Sequence, residues 1–545
     1  MDSRHYLGID VGTGSVRAAI FDETGNRLGM GTCPIAVHRP QVDFVEQSSD
    51  DIWSAAGRAT RQALVQAGGM PEQIVGIGFD ATCSLVLLDA HDVPVTVSPT
   101  RDDKWNVIVW MDHRAIDQAK RINLGGHDVL RYVGGVISPE MQTPKLLWLS
   151  ENMNWSYQRA ARFLDLPDYL VYRATGEDIR SLCTTVCKWT YLGHLGRWDD
   201  AYFRAIGLGD LVDQGYQKIG TRIRPMGEKA GVLTEKAARE LGLAAGTAVG
   251  VSIIDAHAGG LGLLGMPEDG QKPTEEAMET RLALIGGTST CHMASSREAR
   301  FVPGVWGPYA SAMIPGMWLT EGGQSATGAL VDHVLQSHSR GVELLDEARR
   351  RGVHVYTLLN DHLDDLAQKV RFPAELTRDL HVLPDHHGNR SPRADPTLRG
   401  MVSGLGLHDD IDSLALLYLA TIQALAHGTR HILTEMNRAG DNITTLYATG
   451  GDTKNPVFVR EHADVTGCRV VMPKEPEAVL LGAAILGAVA SGDQPSVLAA
   501  MGAMSAAGAV VTPQGGAVKA FHDQKHAVFL RMYEDQMAYR ALMAG

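Results

Sequence analysis

The strongest constraint on this chain is a pattern that occurs twice. Residues 9–22, IDVGTGSVRAAIFD, set a glycine turn between two apolar runs, and ETGN at 23–26 turns the chain again. Alternation on both sides of GTGS reads as two or three short antiparallel strands joined by tight turns. Near residue 281, RLALIGGTSTCHMASS repeats the arrangement. Two similar beginnings predict two similar domains, and 545 residues are too many for one ordinary core. We expect an α/β chain of two duplicated domains flanking a deep cleft, split as 1–279 and 280–545. The Asp-, Glu-, Arg- and Leu-rich stretch 340–380 reads as a helical insertion.

No helix opens directly after GTGS, so the dinucleotide fingerprint and the Walker loop both fail on context. The turn can still hold phosphate through backbone N–H groups and Thr/Ser hydroxyls. If both hairpins face one cleft, they grip a polyphosphate from two sides. A third glycine turn, in TTLYATGGDTKNPVFVREHADVTG at 444–467, follows a strand and precedes a helix, which suits a nucleoside. The segments 50–68 and 412–436 read as helices that cover the two sheets.

The formal charge of −13 is spread along the chain without a Lys/Arg block, which argues against nucleic acid or an anionic membrane as partner. A small molecule is expected instead, with room for a homodimer. The start MDSRHYLGID shows no secretory pattern, and AVLLGAAILGAVA at 478–490 is too short to span a membrane and reads as a buried helix. A cytoplasmic setting is expected, and six scattered cysteines fit a reducing compartment. Cys183 and Cys187 have a spacing that metal sites use, but no matching Cys/His pair completes a set, so a structural zinc is not expected. Asp385, His386 and His387 read as a solvated loop.

In order along the chain, IDVGTGSVRA, VIVWMDHRA (107–115), GVSIIDAHAGG (250–260), GGTSTCHM with EGGQSATG (321–328), and ATGGDTKNP followed by EPEAVLLGAA resemble the FGGY family of carbohydrate kinases. GNRSPRADPTLRG at 388–400 is similar to that family's Gly-x-Arg-x-Pro loop. The resemblance implies two actin-like, ribonuclease-H-like domains and transfer of the γ-phosphoryl of ATP to a sugar hydroxyl, assisted by Mg²⁺. It implies Asp255 as the base that takes the hydroxyl proton, and a metal-facing role for Asp10 together with Asp255. Gly12 and Thr13 of the first hairpin, and Gly287, Thr288 and Ser289 of the second, would meet phosphate. Gly328, Gly450, Gly451 and Asn455 would meet the nucleotide. Arg17 would reach the phosphates or lie in solvent.

TCSLV at 82–86 resembles the signature of the D-ribulokinase branch, and the glycerol kinases' Gln-Arg-Glu run is missing there. The resemblance then implies Cys83, Lys188, Asp255 and Glu321 as sugar contacts. The expected substrate is a ketopentose phosphorylated at its terminal hydroxyl, D-ribulose first, L-ribulose or ribitol second. An actin-like regulatory ATPase or a sugar sensor would keep the fold without the transfer.

Overall fold

In a computed structural model of the chain, which describes residues 4–268 and 270–544, the two hairpins each seed a seven-stranded sheet. The first runs Lys229–Val232, Ala248–Gly250, Ile74–Ala81, His5–Val11, Ser15–Phe21, Arg27–Pro34, with Ile253–Ile254 added beside Ile74–Ala81. The second runs Trp306–Ala310, Trp318–Gln324, Thr290–Ser296, Arg281–Gly286, Thr445–Gly450, Arg469–Pro473, Ala507–Val511. In both, the first strand pairs antiparallel with the second and has a parallel strand on its other side. The second strand's outer neighbour is also antiparallel, Arg27–Pro34 in one sheet and Trp318–Gln324 in the other, where Trp306–Ala310 intervenes in sequence and forms the edge. The duplication expected from the turns is thus a duplication of topology.

Local sequence explains the covering helices. Ser48 caps Ser49–Gln66 by accepting from Asp51 N at 3.3 Å, and Ile52, Trp53, Ala56, Ala59 and Ala63 put its apolar stripe on the first sheet. Asp410 caps the helix Ile411–Arg438, whose apolar face lies against the second sheet. Length and composition would let that helix cross a membrane, but the fold buries 72% of its most apolar window. Residues 340–380 hold the helices Gly341–Arg351 and Val355–Ala367.

The helix Ala478–Ala490 lies in sequence between two strands of the second sheet, Arg469–Pro473 and Ala507–Val511, yet packs on the first. Its backbone comes so near that a Cβ at Gly8 or Gly78 would run into the carbonyl of Leu480 or Ala483. It also crosses the helix Asp255–Leu264 backbone against backbone, Gly482 on Ala258 and Gly262 on Ala478. The Gly/Ala-rich composition of 478–490 therefore serves close approach on two sides.

Of the loop expected to be solvated, His387 is exposed and His386 half-buried, but Asp385 is enclosed. Asp385 is buried, accepts from Asn389 Nδ2 at 2.8 Å and stands 3.5 Å from Arg393, whose guanidinium lies 3.5 Å from the centre of the Tyr533 ring. The C-terminal helix Gly516–Met543 supplies that ring and closes over the loop.

The same helix packs His522 and His526 against His427 of Ile411–Arg438, with ring centroids 5.9 and 5.4 Å apart. Among the described residues neither nitrogen of His427 has a hydrogen-bond partner. Burial, then the nearby His522, His526, Lys525 and Arg430, hold its pKa well below the usual 6.5. A base with a depressed folded pKa favours unfolding once the unfolded form takes up a proton, so this contribution to stability is lost as pH falls below about 6.5. Glu461, raised to about 8 mainly by burial, works in the opposite direction. Comparison with His427→Leu isolates the histidine. The variant should gain stability relative to the parent by up to about 1.4 kcal/mol for each pH unit below 6.5. Thermal melts of both proteins at pH 7.5, 6.5 and 5.5 check this; a constant difference would refute it.

Candidate active site

The two glycine turns open onto one cleft of about 580 Å³. Gly12 N donates to Ser15 O at 3.0 Å and Gly287 N to Ser289 O at 3.0 Å, so these amides close the turns. Those of Thr13, Gly14, Thr288 and Ser289 have no backbone acceptor among the described residues and sit at the turn tips. The Thr13 hydroxyl accepts from Trp110 Nε1 at 3.0 Å, which leaves its own proton to donate. The arrangement offers N–H and O–H donors from both sheets to an anion.

Carboxylates collect beside the first turn. Parallel pairing sets Asp10 beside Asp80 and Ile253 beside Asp80, and Asp255 begins the helix that follows. Arg17, the cross-strand partner of Asp10, donates from Nε to Asp10 Oδ2 at 2.8 Å and from Nη1 to Glu477 Oε2 at 2.8 Å. Arg17 is thereby held by two carboxylates rather than left in solvent. Burial, then Asp10, pushes Asp80 well above the usual carboxylate range, and among the described residues neither Asp80 oxygen has a hydrogen-bond donor. The same two causes raise Asp255 to about 6 despite the amide of Ala256, which donates to its Oδ1 at 2.7 Å. Three crowded carboxyls with one guanidinium carry excess negative charge.

Deeper in the cleft, the residues are polar but enclosed. Lys188 ends the helix Leu182–Lys188 with its ammonium 5.2 Å from the centre of the Trp306 ring. Burial opposes its charge, but Cys83 and Glu321 nearby raise its pKa well above the usual value. Glu321, from the central part of Trp318–Gln324, is pulled down to about 2 against the effect of burial by His257, Lys188 and Arg390. His257 Nε2 lies 3.2 Å from Glu321 Oε2, and its Nδ1 lies 3.0 Å from Cys183 Sγ. Flanked by these two groups, His257 is raised to about 10 despite burial. Cys183 is lowered to about 5 despite burial, by Cys187 and His257. Burial pushes the Cys83 thiol up to about 12, so it meets a ligand as a neutral group.

Nine of the residues expected at the site line this one cleft: Asp10, Gly12, Thr13, Cys83, Lys188, Asp255, Gly287, Ser289 and Glu321. Thr288, Gly328, Gly450, Gly451 and Asn455 lie outside its lining. Gly328 N donates to Gly287 O at 3.0 Å, and Gly450 takes a positive φ of 104° against Gly286, so both support the second turn. Asn455 caps the helix Pro456–Thr466, accepting from Val457 N at 3.2 Å and Asn360 Nδ2 at 3.0 Å while donating to Tyr418 Oη at 2.7 Å. Sequence reading missed Asp80, which crowds Asp10 and Asp255, and His257, Trp306 and Arg390, which line the cleft with Lys188 and Glu321. Asp80 had a signal in its place at the end of the GFDA strand, beside TCSLV. A larger groove, about 1080 Å³, lies between 368–380 and 404–417 and carries none of this chemistry.

Solved structures with this architecture define the class. Xylulose kinase from Rhodospirillum rubrum matches with a TM-score of 0.76 at 20% identity, over 98% of this chain and 99% of its own. Gluconate kinase from Lactobacillus acidophilus matches with a TM-score of 0.78 at 19% identity, over 98% of each chain. The fold is that of the two-domain sugar kinases. Models of the N-terminal and C-terminal domains of the FGGY family of carbohydrate kinases match residues 5–262 and 282–491. The chain belongs to the FGGY family of carbohydrate kinases. A human FGGY carbohydrate kinase domain-containing protein is 53% identical over 99% of this chain and 98% of its own. D-ribulokinase of Saccharomyces cerevisiae is 39% identical over 90% of this chain and 72% of its own. Ribulokinase of Bacillus licheniformis is 31% identical over 89% and 85%.

Proposed function

We propose that this carbohydrate kinase transfers the γ-phosphoryl group of ATP to the terminal hydroxyl of D-ribulose, giving D-ribulose 5-phosphate. The observation that carries the reading is the cleft itself. Paired donors from two glycine turns face a raised-pKa carboxylate, Asp255, while a buried Lys188–Glu321 floor lies within reach of the same space. A phosphoryl transfer needs positioned reactants, neutralised charge and a proton acceptor, and little else from the protein. Lys188 and Glu321 offer a donor and an acceptor to sugar hydroxyls, and Cys83 presents a small neutral wall. Likeness to proteins named D-ribulokinase and ribulokinase supports the choice of a pentulose.

A hard cation with oxygen ligands fits the Asp10, Asp80 and Asp255 group, where crowding leaves negative charge uncompensated and Asp80 without a donor. Mg²⁺ bound there would neutralise the phosphates during transfer. The protein's own part is to hold the sugar hydroxyl against Asp255 and accept its proton. Thr13, Gly14, Thr288 and Ser289 would receive the phosphates, with the third glycine turn at Gly450–Gly451 on the nucleoside side. The conserved-topology halves, read as residues 1–279 and 280–545, would then each contribute one phosphate clamp.

A panel of ketopentoses and pentitols with ATP and Mg²⁺, followed by coupled ADP release, tests the reading. D-ribulose should give the highest kcat/KM, with L-ribulose and ribitol behind by roughly tenfold or more, the scale of one lost or misplaced hydroxyl contact. L-ribulose or ribitol in first place would move the substrate within the class. ADP release independent of every sugar would point to a regulatory ATPase instead.

A further inference from the structure

Directly behind Glu321 lies a cluster that phosphoryl transfer does not use. Cys183 and Cys187 stand one turn apart on Leu182–Lys188 and so share a face. His257, in the first turn of Asp255–Leu264, comes to meet them. The three donor atoms all lie within 4.8 Å of one another, and all three side chains are at most 1% exposed. We propose that Cys183, Cys187 and His257 bind one thiophilic divalent cation of the zinc class.

The ligand set and its surroundings both favour this. Two thiolates and an imidazole match a three-ligand Cys₂His zinc site with its fourth position left to a non-protein ligand. Thiolates select a soft cation, so the site is chemically separate from the carboxylate group that suits Mg²⁺. A metal-bound histidine ordinarily donates its other N–H to a carboxylate, and here Glu321 Oε2 stands 3.2 Å from His257 Nε2 to accept it. Cation binding displaces the Nδ1 proton, and the lone pair so freed faces Cys183 Sγ at 3.0 Å, on the side where the cation would sit. Ligands on one tetrahedral zinc stand roughly 3.5 Å apart, given bonds of about 2.0 and 2.3 Å, so loading requires an outward shift of about half an ångström. Charge closes as well: two thiolates cancel the cation, and Lys188 beside Glu321 cancels the carboxylate. The sequence hid the site because its third ligand lies some seventy residues downstream, in a different motif.

The enclosed position predicts loading during folding and retention afterwards. Protein expressed in medium supplemented with Zn²⁺, and separately with Co²⁺, should be passed through gel filtration and assayed for metal by mass spectrometry. About one cation per chain is expected, with a near-ultraviolet thiolate-to-cobalt absorption band in the Co²⁺ form. Cys187→Ser and Cys183→Ser should each lose the band and most of the metal, with far-ultraviolet circular dichroism unchanged, whereas Cys33→Ser should keep both. Should Cys183→Ser not fold, Cys187→Ser and His257→Asn carry the same test. Parent protein without metal or band, or full metal retention in the folded Cys187→Ser and His257→Asn variants, would overturn the proposal.

Discussion

Asp255→Asn should lower turnover by about 10²–10⁴ while leaving the sugar's dissociation constant nearly unchanged, the range expected for loss of a positioned base. The reason is local. Asp255 opens its helix at the end of the first sheet, where burial and Asp10 raise its carboxyl to about 6 and make it a better proton acceptor than a surface carboxylate. Asn fills the same volume and can still take the Ala256 amide, which donates at 2.7 Å. The fold should therefore persist, as a thermal melt would show. Steady-state kinetics with saturating Mg·ATP, together with calorimetric sugar binding, separates the two terms. A folded variant with near-normal turnover would remove Asp255 from the chemistry.

Lys188→Met should raise the KM for sugar by about 10–100-fold and leave the KM for ATP within about twofold, since hydrogen bonds to a charged group contribute roughly 1.5–3 kcal/mol each. Met keeps the length and the packing on Trp306 but removes the donor. Glu321 stays paired with His257 in this variant, so no buried carboxylate is stranded. An equal rise in both KM values would mean that Lys188 sets the shape of the cleft rather than the grip on sugar.

The parts legible in the sequence are those governed by short-range rules. Alternation around GTGS and GGTST predicts the hairpins at Asp10–Arg17 and Gly286–Thr290, and the apolar run at 478–490 predicts a buried helix. What stayed hidden is long-range. Asp80 gains its meaning only from parallel pairing with Asp10, and His257 only from Glu321, sixty-four positions away. Arg17 reads in the sequence as a phosphate contact or a solvated strand residue, and its pairing with Glu477, from the far end of the chain, comes only with the fold. The resemblance implies Asn455 as a nucleotide contact, while the hydrogen bonds that hold its side chain to Tyr418 and Asn360 come only from the fold. Cys183 and Cys187 look like half a site because their partner is supplied by topology.

The glycine crossing between Asp255–Leu264 and Ala478–Ala490 has a mechanical meaning. Two helices whose backbones touch at Gly262 and Gly482 have no side-chain layer to slide on or stretch, so they can roll but not part. If the two sheets move apart, that crossing would be the fulcrum, with displacement growing along the lever arm toward the glycine turns. Asp255, at the end of one of the two helices, sits on the short arm. If Asp255 is the proton acceptor and the turns hold phosphate, the base would then move less than the phosphate clamps as the cleft opens.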